Sequence, residues 1–210
     1  MGWLEDVLFP PRCPGCGTSV KKHGQWCHSC FRAIWHPRLI PGSRTKVLQG
    51  CYAVTDYKGP MKKVIRHLKY EKRRAYEASC HYLLERFPWQ EIVTTADVAV
   101  PIPLSLEKLR TRGFNQAEVI FRPVIEKRIP WLSCLQRVRS TKAQWSLTHD
   151  ERKDNMDHAI EVTFGAAVQG KSILLVDDIY TSGSTMTIAA KALKKKGAST
   201  IIGLALASSR

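Results

Sequence analysis

The chain has 210 residues, with 33 Lys and Arg against 18 Asp and Glu, and so carries a formal charge of +15 at neutral pH. At 44% hydrophobic and 9% aromatic it is globular in composition and long enough to bury a real core, which excludes wholesale disorder. No apolar run approaches the ~20 residues that span a bilayer, so membrane insertion is excluded. The start, Met1 to Pro10, carries Glu5 and Asp6 and no basic residue, unlike a signal peptide, and a cytoplasmic location is expected.

The excess positive charge runs through every quarter of the chain rather than sitting in a tail, and it points to polyanionic ligands, either phosphates or nucleic acid. Trp3, Leu4, Val7 and Leu8 have the spacing of a short amphipathic helix. Next come two C-x2-C pairs, Cys13 with Cys16 and Cys27 with Cys30, ten residues apart. Two such turns aim four thiolates at one point and complete the tetrahedral sulfur shell of one structural Zn2+, leaving no open position for a catalytic water. Two disulfides or a redox pair are the competing arrangements. Seven cysteines suit a disulfide framework poorly, and neither pair adjoins a βαβ pattern. Cys51, Cys80 and Cys134 read as small buried hydrophobes, and His23 and His28 as surface residues. His36 to Arg44, with two prolines and a glycine, reads as a linker, so a zinc module over residues 1–46 is expected to precede a second domain over 47–210.

In that second domain, β-branched apolar runs alternate with helical patterns, which predicts an α/β fold with a mostly parallel sheet flanked by helices. Leu48 to Tyr57 is strand-like. Met61, Val64, Ile65 and Leu68 make a helical apolar stripe, whose other face carries Lys62, Lys63, Arg66 and Lys69 and continues into Lys72, Arg73 and Arg74. Tyr76 to Phe87 reads as a helix and Val98 to Ile102 as a buried strand. Gln116 to Lys127 reads as a helix opened by a basic loop.

Residues 172–185, Ser-Ile-Leu-Leu-Val-Asp-Asp-Ile-Tyr-Thr-Ser-Gly-Ser-Thr, hold the densest information. An apolar strand, Ile173 to Val176, ends on Asp177 and Asp178. A hydroxyl-rich turn around Gly183 leads into an amphipathic helix through Met186, Ala189, Ala190 and Leu193, for which Gly197 is a suitable C-terminal cap. Loop amides and a helix N-terminus present positive dipole to a phosphate, and Thr181, Ser182, Ser184 and Thr185 add hydroxyl donors. The two carboxylates suit sugar hydroxyls or Mg2+. The bland alternative, a strand end beside a capped helix, leaves the ordered combination unexplained.

These residues resemble the phosphoribosyl-pyrophosphate (PRPP) motif of type I phosphoribosyltransferases. Tyr57-Lys-Gly-Pro with Leu68-Lys-Tyr, Pro101-Ile-Pro-Leu-Ser with Arg110-Thr-Arg-Gly-Phe-Asn-Gln, and Gln144-Trp-Ser-Leu with Glu151-Arg-Lys-Asp-Asn are similar to the ComF family. That family is competence-associated and carries a four-cysteine zinc module before a phosphoribosyltransferase domain. The resemblance implies that Asp177 and Asp178 hold the ribose hydroxyls, directly or through Mg2+, and that Thr181, Ser182, Gly183, Ser184 and Thr185 cradle the 5′-phosphate. Pro103, Leu104 and Ser105 would belong to a pyrophosphate loop, with Arg110 and Arg112 as nearby cations and Arg152 on a catalytic lid over residues 141–155, where Gln144 and Asn155 are weaker candidates.

Two functions follow as expectations. One is a Mg2+-dependent enzyme that transfers a phosphoribosyl group from PRPP and acts in natural competence and DNA uptake. The other is a single-stranded DNA-handling protein, working with competence DNA-uptake proteins, that keeps the PRPP site for binding or sensing without turnover. In that case the zinc module, the basic run Lys62 to Arg74 and the aromatics Trp26, Tyr52, Tyr57 and Tyr70 would track the polymer.

Overall fold

The computed structural model describes residues 9–42, 47–70, 75–138 and 159–210. Its central sheet has the order β1 (Trp35–Pro41), β2 (Gly50–Asp56), β7 (Thr200–Ser208), β6 (Ser172–Tyr180) and β3 (Val98–Pro101). From β2 to β3 all neighbours are parallel; β1 alone is antiparallel. The helices are α1 (His28–Ile34), α2 (Gly59–Tyr70), α3 (Ala75–Leu84), α4 (Gln90–Thr95), α5 (Leu106–Arg112), α6 (Gln116–Ile125) and α7 (Ser184–Lys195), and a small antiparallel pair, β4 (Leu135–Arg137) with β5 (Ile160–Val162), stands apart. This is the mostly parallel α/β architecture that the alternating pattern predicts.

Side-chain alternation along the strands divides the core between two layers. Leu174, Val176, Leu204, Leu206 and Val54 turn to one face, where they meet Met61, Val64, Ile65 and Leu68 of α2, Leu83 and Leu84 of α3, and Ile120, Phe121 and Val124 of α6. Ile173, Leu175, Ala205, Cys51 and Ala53 turn to the other face, under Met186, Ala189, Ala190 and Leu193 of α7. The apolar stripe of α2, read from the sequence at Met61, Val64, Ile65 and Leu68, is buried throughout. Each large side chain so buried contributes about 1.5–3 kcal/mol.

The cysteine module shares this core. Trp26 is 2% exposed and its indole N–H donates to the carbonyl of Ser79 in α3 at 3.0 Å. Cys13, Trp26, Cys30 and Ile34 belong to the same apolar cluster as α2 and α3. Trp26→Ala should therefore destabilise the whole fold by about 3–5 kcal/mol, and a denaturant titration showing one cooperative transition at lower midpoint would register it.

Three local readings change. His36 to Arg44, expected as a linker, instead supplies β1, paired with β2 from Arg38↔Ala53 to Pro41↔Gly50. Its prolines are tolerated because it is an outer strand, where a missing N–H breaks no ladder. Arg110 and Arg112, expected in a loop, stand in α5, which Ser105 starts by accepting from the Lys108 amide at 3.3 Å. Asp177 and Asp178 lie inside β6 rather than at its end, since the strand continues to Tyr180. The helix expected from Trp3 to Leu8 lies outside the described residues.

Candidate active site and metal centre

The four cysteine sulfurs of Cys13, Cys16, Cys27 and Cys30 lie within 4.8 Å of one another. A hairpin builds the first pair: the Cys13 amide donates to Thr18 O at 2.8 Å, and the Gly17 amide to Cys13 O at 2.9 Å. The second pair opens α1, where Cys27 is the N-cap and its sulfur accepts from the Cys30 amide at 3.5 Å. Hydrogen bonds from the Thr18 hydroxyl and amide bring the Cys16 thiol down to about 6, favouring the thiolate a metal needs. Burial pushes Cys30 the other way. Four converging sulfurs with backbone N–H support are the donor set of a structural zinc. Cys51, Cys80 and Cys134 are buried elsewhere, as expected, and burial raises all three thiols.

The second site follows from topology. The chain leaves β3 for α6 on one face and leaves the adjacent β6 for α7 on the other. Where neighbouring parallel strands send their connections to opposite faces, a crevice opens at their carboxyl ends. Pro101 pairs with Val176, so the loop after β3 and the acid pair of β6 stand side by side there.

Each wall of the crevice is held by its own contacts. In the β3 loop, Ile102 N donates to Val176 O at 2.9 Å, Asn115 Nδ2 donates to Ile102 O at 2.9 Å, and Arg137 Nε donates to Pro103 O at 3.0 Å. Pro103 is buried, Leu104 and Ser105 are half-buried. Asn115 also caps α6 through its Oδ1, which accepts from Ala117 N at 3.0 Å. Arg112 donates to Gln116 Oε1 at 2.9 Å; Arg110 is exposed on α5.

Strand alternation carries Asp178 to the α2 face, where the Lys69 ammonium lies 2.6 Å from its Oδ2. Asp177 takes the other face, near Cys51, and accepts from the Asp178 amide at 2.8 Å. Burial, reinforced by the neighbouring Asp178 charge, raises the Asp177 carboxyl to about 8, against the pull of that amide and of Lys69. With the Asp177 carboxyl raised and Asp178 already paired with the protein's own cation, a further cation between them would favour the ionised pair by offsetting its repulsion.

Beyond them, Thr181 and Ser182 are exposed, and Ser184 and Thr185 already form the first turn of α7. Gly183 is the N-cap at φ 81°. A Cβ there would collide with the Tyr180 hydroxyl and ring, so glycine is required both by the left-handed backbone and by the buried Tyr180 beneath it. The glycine brings no side-chain cap to α7. Its Ser184 amide donates instead to the Ser182 hydroxyl at 3.3 Å, and the Ser182 and Ser184 hydroxyls lie 2.8 Å apart, so hydroxyls and the helix N-terminus face one place, the setting a phosphate favours.

Of the residues read from the sequence, the structure brings together the four cysteines, and separately Asp177, Asp178, the 181–185 turn and the 103–105 loop. Lys62, Lys63, Arg66 and Lys69 share α2. Gln144, Arg152 and Asn155, with the rest of the expected lid, and Lys72, Arg73 and Arg74 lie outside the described residues. Sequence reasoning missed Asn115 and Arg137 as supports of the 103–105 loop and Lys69 as the partner of Asp178; Asn115 was in view only within the Arg-Thr-Arg-Gly-Phe-Asn-Gln string, without a role, and Lys69 only as one cation of a basic helix face.

The family description "Double zinc ribbon domain" matches residues 4–40, and "Phosphoribosyl transferase domain" matches residues 135–210. The fold and the cysteine cluster together define a phosphoribosyltransferase-type domain preceded by a zinc ribbon. DNA utilization protein YhgH of Salmonella typhi is 29% identical over 206 residues, covering 90% of this chain and 86% of that protein. Competence protein F of Haemophilus influenzae is 24% identical over 209 residues, covering 93% and 84%. Competence protein ComFC of Bacillus subtilis is 26% identical over 190 residues, covering 88% and 72%. Over nearly its whole length the chain is similar to these DNA utilization and competence proteins. Among the described residues, no helix is long and apolar enough to cross a membrane.

Proposed function

We propose that the chain binds PRPP in the crevice between β3 and β6 and transfers its phosphoribosyl group to an acceptor in the service of DNA handling during competence. The observation that carries this reading is the hydroxyl-rich, glycine-started N-terminus of α7 set shortly after the Asp177–Asp178 pair, which offers hydroxyl and amide donors to a phosphate and carboxylates to a sugar within one short stretch of chain. Thr181 to Thr185 receive the 5′-phosphate, and Asp177 and Asp178 receive the ribose hydroxyls. The 103–105 loop, braced by Asn115 and Arg137, faces the pyrophosphate, with Arg110 and Arg112 as cations near it. Arg152 is assigned to the lid.

In the transfer, the bond from the ribose C1 to the pyrophosphate oxygen breaks and its electron pair leaves with pyrophosphate. A lone pair of the acceptor forms the new bond to C1, and the acceptor's proton passes to the departing pyrophosphate or to solvent. The transition state resembles an oxocarbenium ion, so the chain's task is to neutralise the leaving group and to exclude water. Asp177 and Asp178 are the residues that would hold Mg2+, which would supply part of that neutralisation. Incubation with PRPP, Mg2+ and a panel of acceptors should release pyrophosphate above the acceptor-free rate; no release with any acceptor, despite PRPP binding, would leave a sensor rather than a transferase.

A second reading is favoured by the basic face of α2 beside Tyr57: a single-stranded DNA-handling protein in which PRPP is bound without turnover. It expects an affinity for single strands that falls steeply with salt, by counterion release, and a filter-binding series at rising ionic strength reads it. A protein that ignores single strands at low salt would rule it out.

A further inference from the structure

Along α2 lies a cavity of about 510 Å³, lined by Tyr57, Lys62, Lys63, Ile65, Arg66 and Lys69. Four of these six side chains are cations, and among the described residues no carboxylate lines the cavity. Lys62 Nζ stands 5.5 Å from the centre of the Tyr57 ring, and the buried Ile65 gives an apolar floor. Tyr57 leaves the carboxyl end of β2, where its amide donates to Ser208 O at 2.7 Å. Lys69 belongs to this cavity and, at 2.6 Å, to Asp178. The cavity and the acid pair therefore share one ammonium group and open on the same edge of the sheet.

We infer that this cavity is the acceptor compartment and that the acceptor is a flat ring bearing its own negative charge, a carboxylate or a phosphate. The inference deepens the PRPP reading and rests on it for the word acceptor; the anion preference of the cavity stands on the lining alone. A ring lies against Tyr57 and Ile65, and its anionic group meets Lys62, Lys63 and Arg66, none of which is ion-paired with a carboxylate among the described residues, Lys63 donating only to the Gly15 carbonyl at 3.4 Å. Lys69 stands at the boundary, so an acceptor placed here reaches the ribose that Asp178 would hold. A volume of this size accommodates one ring-sized molecule, which favours a discrete ligand over a polymer lying along α2. An uncharged base would leave the lining cations facing one another with nothing to offset their repulsion.

The test uses the full chain, zinc-loaded, and a pair of probes of nearly equal shape, pyridine-3-carboxylate and its neutral amide, titrated by calorimetry or ligand-observed NMR. The carboxylate should bind at least about tenfold more tightly than the amide, the ratio expected when several cations face one anion. A Lys62→Ala/Arg66→Ala variant should lose that preference, and PRPP should raise the carboxylate's affinity. Equal affinity for the two probes, binding of neither, or a preference unchanged in the variant would overturn the inference. So would affinity confined to oligothymidylates and growing with their length, which would make the cavity part of a nucleic-acid track. Separate titration of PRPP keeps the two readings apart: a carboxylate preference without PRPP binding would defeat the PRPP site and retain an anion-binding cavity.

Discussion

Asp177→Asn/Asp178→Asn is expected to weaken PRPP binding by roughly 10²–10⁴-fold, because each carboxylate would accept charge-assisted hydrogen bonds worth about 1.5–3 kcal/mol. The exchange keeps shape and polarity, so the variant should fold. Its structural cost falls at Lys69, whose ammonium would lose the carboxylate of the buried Asp178 2.6 Å away; parting such a pair costs about 3–5 kcal/mol where both groups are fully buried and less where, as at Lys69, the cation keeps a path to water. Titration of PRPP with and without Mg2+ into both proteins, with a thermal melt as control, separates the two. Equal affinity for wild type and variant would remove Asp177 and Asp178 from the site.

Cys13→Ser/Cys16→Ser should have the largest effect on stability. Wild type should contain about one zinc per chain and the variant none, since two thiolates cannot close the tetrahedral shell. The damage should spread, because Cys13 and Cys30 share one apolar cluster with Trp26, α2 and α3. A loss of even ~4 kcal/mol lowers the melting temperature of a chain this size by roughly 8–16 °C. Metal analysis and a melt of the same preparations decide it. A zinc-free wild type, with masses showing two disulfides, would replace the metal by cross-links.

What the sequence discloses well is whatever local spacing dictates. The C-x2-C pairs converge because each turn is self-contained, held by bonds such as Gly17 to Cys13. The run from Ser172 to Lys195 folds as strand, turn and helix because a continuous apolar run gives way to helical period at Gly183, where only glycine fits. Less legible are contacts between residues far apart in the chain. Lys69 reads as one more cation on a solvated helix face until the fold sets Asp178 beside it, 109 positions on. Arg137 and Asn115 support the 103–105 loop through carbonyls, which carry no side-chain signature. β1 is hidden for another reason: Pro37 and Pro41 signal a break wherever a strand must pair on both sides, and only the sheet order reveals that this one pairs on one side.

That one-sided strand has a consequence for solubility. An open flank of a parallel sheet is a row of amides and carbonyls waiting for another chain, the usual route to self-association. Here the flank beside β2 is taken by β1, whose irregular register between Trp35 and Arg38 bends it and whose two prolines withhold donors from an incoming strand. Arg38 is further occupied with Asp56 at 3.0 Å. The segment between the metal knuckles and β2 therefore acts as a selvedge: a protein begun after it would present bare β2 to its neighbours, and would be expected to aggregate before its chemistry could be measured.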